Sequence, residues 1–85
     1  MASYRLLIKP SAVKEIEALP KTDRCRVVAR IQKLADDPRP PGSEKLSGRG
    51  QYRVRQGQCR VLYAIVDTDL IVVVVKVGHR RDVYR

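Results

Sequence analysis

The chain has 85 residues, of which 44% are hydrophobic and 32% are charged. This length holds one small domain, which we expect to span residues 1–85, and the apolar fraction argues against a disordered chain. The 18 lysines and arginines against 9 acidic residues give a net charge of +9. An excess of this size indicates an anionic partner such as nucleic acid, although it identifies no reaction.

The N-terminus, the apolar runs and the cysteines restrict the class of protein further. The start, MASYRLLIKP, lacks the apolar stretch of a signal peptide, and the run from Leu70 to Val75 is far shorter than the roughly 20 residues of a membrane span. Cys25 and Cys59 form no CxxC motif, and His79 would add only one ligand. We therefore expect a cytoplasmic protein with free thiols, no metal, no cofactor and no membrane partner.

The first half of the chain predicts a strand followed by two helices. Residues 3–9 read as a short strand. Ser11 is expected to cap a helix that ends at Pro20, because the apolar positions after it recur at helical spacing. A second helix is expected to begin at Thr22 or Asp23 and to end at the proline-rich segment. A very short turn joins the two helices.

The second half predicts a loop and then three strands. The loop is PRPPGSEKLSGRG, and the strands are QYRVRQ, CRVLYAIV and LIVVVVKVG. The last strand is apolar on both faces, which is typical of a strand with neighbours on both sides. The expected fold class is α+β, with two N-terminal helices packed on a small, largely antiparallel four-stranded sheet in the order strand-helix-helix-strand-strand-strand.

The segment YRVRQGQCRVLY predicts a tight hairpin. Glycine is favoured at the first position of a type II′ turn, and Gly57 followed by Gln58 fits that turn. This register places Arg55 opposite Arg60. Since strand side chains alternate between the two faces, Arg53 shares the face of these two arginines. Like charges opposite each other destabilise a hairpin, and a bound polyanion would reverse that effect.

The following turn decides whether the C-terminal cations join this face. A three-residue loop at 67–69 would pair Arg60 with Lys76 and give Arg80 the same side of the sheet as Arg60. A two-residue loop would place Arg80 on the opposite side. We expect the three-residue loop. The pairing across the hairpin also predicts that Tyr52 and Tyr63 form a core pair.

Three segments in this order, KLSG, YRVRQGQCRVLY and VGHRRDVYR, resemble the RelE toxins of prokaryotic toxin–antitoxin systems. The resemblance covers most of the chain and implies a RelE-like fold within the wider RelE/ParE superfamily. Its RelE branch implies a type II toxin that acts as a ribosome-dependent, metal-independent mRNA endoribonuclease, an mRNA interferase that inhibits translation. The implied partners are a cognate antitoxin, the 70S ribosome and mRNA.

The resemblance also implies residue roles. Arg60 and Arg80 correspond to arginines that contact the scissile phosphate, and Tyr84 corresponds to a tyrosine that stacks on a base and assists the reaction. His79 is a candidate for proton transfer because its ordinary pKa suits that task, although strand alternation tends to place it opposite Arg80. The remaining candidates, for RNA binding, are Arg53, Arg55, Lys45, Arg49, Lys76 and Arg81.

The expected chemistry needs no metal. The 2′-hydroxyl of RNA attacks the adjacent phosphorus, the 5′-oxygen leaves, and arginines stabilise the added negative charge. The proton acceptor stays unassigned, because Arg53 and Arg55 stand where well-known members have lysine and arginine is a poor base. The Arg80–Tyr84 spacing is also shorter than in those members. Two alternatives remain open: a ParE-like toxin that inhibits DNA gyrase without cutting RNA, and a catalytically inactive module that binds RNA or antitoxin.

Overall fold

A computed structural model describes residues 3–48 and 50–79. The elements in chain order are β1 (Arg5–Ile8), α1 (Pro10–Glu17), α2 (Lys21–Leu34), β2 (Glu44–Lys45), β3 (Gln51–Gln56), β4 (Cys59–Val66) and β5 (Ile71–His79). The strands form one sheet in the order β1-β5-β4-β3-β2. Only β1 and β5 are parallel, and the other neighbours are antiparallel. The predicted α+β fold class is confirmed.

The predicted strand count was wrong, because the sheet has five strands and not four. The additional strand, β2, has two residues and lies in the segment that was predicted to be a loop. Glu44 lies opposite Arg53 in β3, and the Leu46 backbone N–H donates to the Gln51 carbonyl at 2.8 Å. Two residues cannot show a strand periodicity, so only the pairing partner makes this segment a strand.

Both helices begin earlier than predicted. Ser11 lies inside α1, which starts at Pro10, and Lys9 precedes the helix without a side-chain cap. The second helix starts at Lys21, directly after Pro20, again without a side-chain cap. Proline has a fixed φ near −65° and lacks an N–H, so it begins a helix without leaving a backbone donor unsatisfied. The prolines therefore replace the expected polar caps. Among the described residues, no helix is long and apolar enough to cross a membrane.

The core lies between the two helices and one face of the sheet. Alternate residues of β4, beginning with Cys59, point to that face and are buried. The residues between them point to the opposite face and are half-buried, except Val66, which is exposed. Tyr63 is the largest side chain in the fully buried group. Its ring stacks on Tyr52 at a centroid distance of 5.9 Å, so the predicted tyrosine core pair is confirmed. The buried apolar residues are Ala12, Ile16, Leu19, Val27, Ile31, Leu34, Val54, Cys59, Val61, Tyr63, Ile65, Val72, Val74 and Val77.

The β3–β4 hairpin has the predicted register. Arg55 lies opposite Arg60, and Gln56 lies opposite Cys59, which leaves a two-residue turn. Gly57 has φ +61°, whereas Gln58 is not among the residues with positive φ. A type II′ turn requires a positive φ only at its first central residue, so the predicted turn type fits the backbone.

The predicted register between β4 and β5 was wrong. Val66 lies opposite Ile71, so the connecting loop has four residues rather than three. Leu70 closes this loop with φ +54°, which is unusual for a leucine. An irregularity between Leu62 and Tyr63 then shifts the pairing again, and Arg60 lies opposite Gly78 instead of Lys76. Each change shifts the pairing by one residue, so the two together keep Lys76 and Gly78, beyond the irregularity, on the side of Arg60.

One contact from α1 accompanies this irregularity. β1 ends opposite Val74, so β5 continues beyond its parallel neighbour. The Glu15 carboxylate on α1 accepts a hydrogen bond from the Val77 backbone N–H at 2.9 Å. A buried strand donor without a partner would cost about 1–3 kcal/mol, and Glu15 removes that cost.

A polar cluster outside the core ties the loop after α2 to the sheet. The Arg39 guanidinium donates to Asp67 Oδ2 at 2.8 Å and to the Tyr52 hydroxyl at 3.0 Å. The Tyr4 hydroxyl donates to Asp67 Oδ1 at 2.8 Å. Hydrogen bonds from Arg39 first, and then from Tyr4, lower the pKa of Asp67 below its ordinary value of 3.8. Asp67 therefore joins three segments: the N-terminus, the loop after α2, and the β4–β5 turn.

We expect Asp67→Asn to reduce the loss of stability at acid pH. The folded pKa of Asp67 is lowered, so its contribution is present above the ordinary value of 3.8 and is lost as the pH falls through the folded pKa. Urea unfolding of the wild type and of Asp67→Asn, at neutral pH and again at a pH below 3.8, measures how much free energy of unfolding each protein loses. Asp69→Asn, in the same turn, is the matched control and should keep the wild-type profile. Parallel profiles for wild type and Asp67→Asn would contradict the prediction.

Candidate nucleic-acid interface

The face of the sheet that points away from the helices, called here the outer face, carries a group of cations. Val54 and Val61 are buried against the helices, and alternation places Arg53, Arg55 and Arg60 on the other side. This confirms the predicted common face of the three arginines. Lys76 shares the outer face with them, as described below. On the outer face of β2–β5, Glu44 is the one carboxylate among the described residues.

Arg55 and Arg60 are the centre of this group. They are directly opposite each other across the hairpin. Their Cβ atoms are therefore about 4.5–5.5 Å apart, and two positive charges at that separation destabilise a hairpin by roughly 0.2–1 kcal/mol. Arg55 is exposed, and within the described part of the chain it has no ion-pair partner. The position therefore favours an anion placed between the two guanidinium groups.

Arg53 has a different environment from its two neighbours. Its guanidinium forms an ion pair with Glu44 at 2.8 Å, and its side chain is 23% exposed. The Arg53 Nε atom is buried and has no hydrogen-bond partner within residues 3–48 and 50–79. Glu44 balances part of the positive charge, so Arg53 contributes less to the attraction of an anion than Arg55 does.

The other predicted RNA-binding residues divide into three groups. Lys76 is exposed and lies opposite Leu62, on the outer face. Lys45 lies opposite Tyr52, whose ring belongs to the helix side, so the pairing places Lys45 away from Arg60. The remaining predicted site residues lie outside the described residues, and these are Arg49, Arg80, Arg81 and Tyr84.

His79 lies on the helix side of the sheet and not on the outer face. It is the cross-strand partner of Cys59, a core residue. Its Nε2 atom is 3.7 Å from Asp23 Oδ2 on α2. The sheet therefore separates the imidazole from the face that carries Arg60. This placement argues against the predicted direct proton transfer at a phosphate held on the outer face.

The same contact reveals a cluster that the sequence did not indicate. The ligand atoms of Asp23, Cys59 and His79 all lie within 4.8 Å of one another. Burial first, and the charge of Asp23 second, raise the pKa of the Cys59 thiol. Both cysteines are free, as predicted; Cys25 is exposed and Cys59 is buried. The three residues come from distant parts of the chain, so no spacing motif could have indicated them.

Comparison with known proteins decides the family. The family described as the ParE toxin of the type II toxin–antitoxin system, parDE, matches residues 6–84. The chain belongs to this family of type II toxins. The match covers nearly the whole chain and every strand and helix of the fold except Arg5, the first residue of β1.

The relatives of this type II toxin point to the RelE branch of the superfamily. A putative RelE-like toxin protein from Escherichia coli is 29% identical over 85 residues, covering 95% of this chain and 90% of the relative. The toxin–antitoxin complex RelBE2 from Mycobacterium tuberculosis matches with a TM-score of 0.83 and 28% identity, over 96% of this chain and 97% of the other. An archaeal RelE–RelB complex from Pyrococcus horikoshii OT3 matches with a TM-score of 0.83 and 31% identity, over 92% and 96% of the two chains. The predicted RelE-type toxin is thus confirmed.

Proposed function

We propose that this RelE-type toxin is an mRNA endoribonuclease that cuts ribosome-bound mRNA in the cytoplasm and so inhibits translation. The observation that carries the proposal is the Arg55–Arg60 pair on the outer face. A sheet that only supports a fold gains nothing from two opposed cations, since like charges directly opposite on a hairpin repel each other. A phosphate between them would convert that repulsion into two charge-assisted hydrogen bonds.

The charges around this pair suit an RNA backbone better than a single small anion. Lys76 and Arg53 extend the positive area along three adjacent strands, β3, β4 and β5. Neighbouring strands are about 4.8 Å apart, so the group spans the distance between successive phosphates of a nucleic-acid strand. Several phosphates could therefore be held at once, which fixes the position of the strand on the toxin.

The proposed reaction uses the substrate's own nucleophile. The 2′-oxygen forms a bond to the adjacent phosphorus, the bond from phosphorus to the 5′-oxygen breaks, and a 2′,3′-cyclic phosphate and a 5′-hydroxyl remain. Arg60, and by the family resemblance Arg80, would stabilise the extra negative charge on the phosphorane. Each such contact contributes on the order of 1.5–3 kcal/mol, so the two give about 10²- to 10⁴-fold in rate.

Proton transfer belongs to other groups in this proposal. Arginine keeps its proton at all working pH values, and His79 lies on the helix side of the sheet. By the family resemblance, Tyr84 stacks on a base beside the cleaved bond and can donate a proton to the leaving oxygen. Holding the 2′-oxygen in line with the leaving group is the task we assign to the ribosome, because orientation is worth several kcal/mol.

We also propose a cognate antitoxin as the physiological partner. The solved structures from Mycobacterium tuberculosis and Pyrococcus horikoshii are toxin–antitoxin complexes, and both share the fold of this chain. An antitoxin segment with acidic side chains that covers Arg55 and Arg60 would neutralise the repulsion between them and block RNA binding at the same time.

The test is to map RNA ends produced by the purified toxin. Ribosomes programmed with mRNA should yield new 5′-hydroxyl ends, and the same mRNA without ribosomes should yield far fewer. An mRNA with a single 2′-deoxynucleotide at the cut position is the matched control, because it lacks the attacking oxygen, and the cut at that position should disappear. Equal cutting of the deoxy-substituted mRNA, or 5′-phosphate ends, would overturn the proposed chemistry.

A second candidate function is inhibition of DNA gyrase without RNA cleavage. The matched family is described by its ParE toxins, and arginine rather than lysine occupies positions 53 and 55. A supercoiling assay with purified gyrase separates the two candidates. Gyrase inhibition together with no new RNA ends on programmed ribosomes would favour this second function over the nuclease.

Arg55→Thr should stabilise the toxin and weaken RNA binding. Removal of one opposed charge raises the free energy of unfolding by about 0.2–1 kcal/mol. Loss of one phosphate contact lowers the slope of log affinity against log salt by about 0.7 for single-stranded RNA. Urea unfolding and RNA-oligonucleotide binding at several salt concentrations measure both effects. Gln51→Thr, on the same strand and face, is the uncharged control, and an unchanged salt slope in Arg55→Thr would contradict the prediction.

A further inference from the structure

Three metal-ligating side chains converge at the helix side of the sheet, outside the RNA-binding face. Asp23 lies in the first turn of α2, Cys59 is the first residue of β4, and His79 is the last residue of β5. Their ligand atoms lie within 4.8 Å of one another, and Asp23 Oδ2 is 3.7 Å from His79 Nε2. Three different elements thus contribute one ligand atom each to a single cluster.

The sheet holds two of these donors in register. Cys59 and His79 are directly opposite in the antiparallel β4–β5 pair, so their Cβ atoms are about 4.5–5.5 Å apart. In a tetrahedral zinc site with bonds of about 2.0–2.3 Å, neighbouring ligand atoms are roughly 3.3–3.6 Å apart. The ligand atoms here lie within 4.8 Å of one another. This limit exceeds the zinc-site spacing by about 1.2–1.5 Å, a distance that rotation of the side chains between rotamers would have to close on binding.

We propose that Asp23, Cys59 and His79 bind one thiophilic divalent ion, of which Zn²⁺ is the representative. A thiolate, an imidazole and a carboxylate are the three donor types that zinc sites in proteins use. The thiolate selects against Mg²⁺ and Ca²⁺, which prefer oxygen ligands. The Asp23 side chain is 30% exposed, so water can reach the fourth coordination position from that side.

Two features oppose the proposal and define its test. The net charge of +9 repels cations at long range. In addition, an ion pair between Asp23 and a protonated His79 would account for their approach without any metal. In that case Cys59 would be only a buried thiol, and its sulfur would not coordinate a metal ion. Direct involvement of the Cys59 sulfur therefore separates the two explanations.

The ion would cross-link two elements of the toxin. It would join the start of α2 to the end of β5, and His79 directly precedes Arg80, the proposed phosphate ligand. The metal site does not depend on the proposed function, because the ligands lie on the helix side of the sheet and the metal can be measured without RNA.

The first experiment is titration of the full-length, reduced, chelator-treated protein with Co²⁺, a spectroscopic substitute for Zn²⁺. We expect a thiolate-to-cobalt charge-transfer band that saturates at one equivalent and is displaced by Zn²⁺. Cys59→Ser should abolish the band, and Asp23→Asn should weaken Co²⁺ binding about tenfold or more. Cys25→Ser removes the exposed cysteine of α2 and should leave the band unchanged. No band in the wild type, or a band that survives in Cys59→Ser, would overturn the proposal.

A second measurement covers the case in which Cys59→Ser does not fold, since Cys59 is only 1% exposed. The wild-type protein is treated with a thiol-alkylating reagent, with and without one equivalent of Zn²⁺, and the two cysteines are distinguished by mass spectrometry of peptides. Zn²⁺ should slow alkylation of Cys59 at least about tenfold under conditions that permit local opening, and should not protect Cys25. Equal rates with and without Zn²⁺, or equal protection by Mg²⁺, would contradict the site.

Discussion

Arg60→Ala is expected to reduce ribosome-dependent cleavage of mRNA by about 10- to 100-fold, without unfolding the toxin. The proposed contact of the Arg60 guanidinium with the phosphorane is worth on the order of 1.5–3 kcal/mol, and each 1.36 kcal/mol is a factor of ten in rate. Loss of Arg60 also removes the repulsion with Arg55, and urea unfolding of the variant separates a change in fold stability from loss of the phosphate contact. The measurement is single-turnover cleavage on programmed ribosomes, together with urea unfolding.

Two control variants separate the loss of one positive charge from the loss of the Arg60 contact with the phosphate. Arg26→Ala removes the same charge from an exposed position on α2 and should keep nearly full activity. Arg60→Lys keeps the charge but loses the planar fork, and should show an intermediate rate. Arg80→Ala should reproduce the effect of Arg60→Ala, if the family resemblance places it on the same phosphate. A toxin that cuts normally with Arg60→Ala would exclude the proposed phosphate contact.

The second large effect concerns stability and lies in the core beneath the hairpin. Tyr63 is 1% exposed, and its hydroxyl donates a hydrogen bond of 2.7 Å to the Pro38 carbonyl. Tyr63→Ala should therefore lower the free energy of unfolding by about 3–5 kcal/mol through loss of the ring and creation of a cavity. A domain of this size has a total stability of about 5–15 kcal/mol, so the variant should be close to unfolding at physiological temperature.

Tyr63→Phe isolates the hydroxyl from the ring. It leaves the ring stacked on Tyr52 and removes the partner of the Pro38 carbonyl, so the expected loss is about 1–2 kcal/mol. Tyr4→Phe is the matched control, because its hydroxyl bonds to Asp67 in an exposed position, and a clearly smaller loss is expected. Chemical unfolding monitored by circular dichroism measures all three variants. A loss for Tyr63→Phe as small as that for Tyr4→Phe would show that burial of the hydrogen bond adds nothing.

The features of the fold that the sequence predicted correctly are set by residues adjacent in the chain. Gly57 specifies the turn of the β3–β4 hairpin by its positive φ, and the period-two pattern on either side then fixes the register. That register brings Arg53, Arg55 and Arg60 together, so the most important geometric feature of the outer face was predictable. Pro10 at the start of α1 and Pro20 before α2 were visible too, although the helix starts were assigned to other residues, Ser11 and Thr22 or Asp23.

The failures concern contacts between distant segments. The short strand β2 exists only because β3 offers backbone groups to pair with. Near the irregularity between β4 and β5, Glu15 on α1 accepts the Val77 N–H, and nothing in the local pattern of either strand indicates this contact. The Arg39–Asp67 ion pair joins a proline-rich loop to a turn that lies 28 residues away in the chain. Each of these contacts has no local signal, because its partners are not sequence neighbours.

The amino-acid sequence alone determined the charge, the fold class, the hairpin with its shared arginine face, and the resemblance to RelE toxins. Each of these rests on composition, on an ordered set of motifs, or on a periodicity that a few adjacent residues carry. The tertiary structure alone decided that Asp23 and Cys59 lie beside His79, and that Val66 pairs with Ile71 rather than Leu70. The physical reason is that Asp23, Cys59 and His79 belong to three separate elements, α2, β4 and β5, which only tertiary packing brings together.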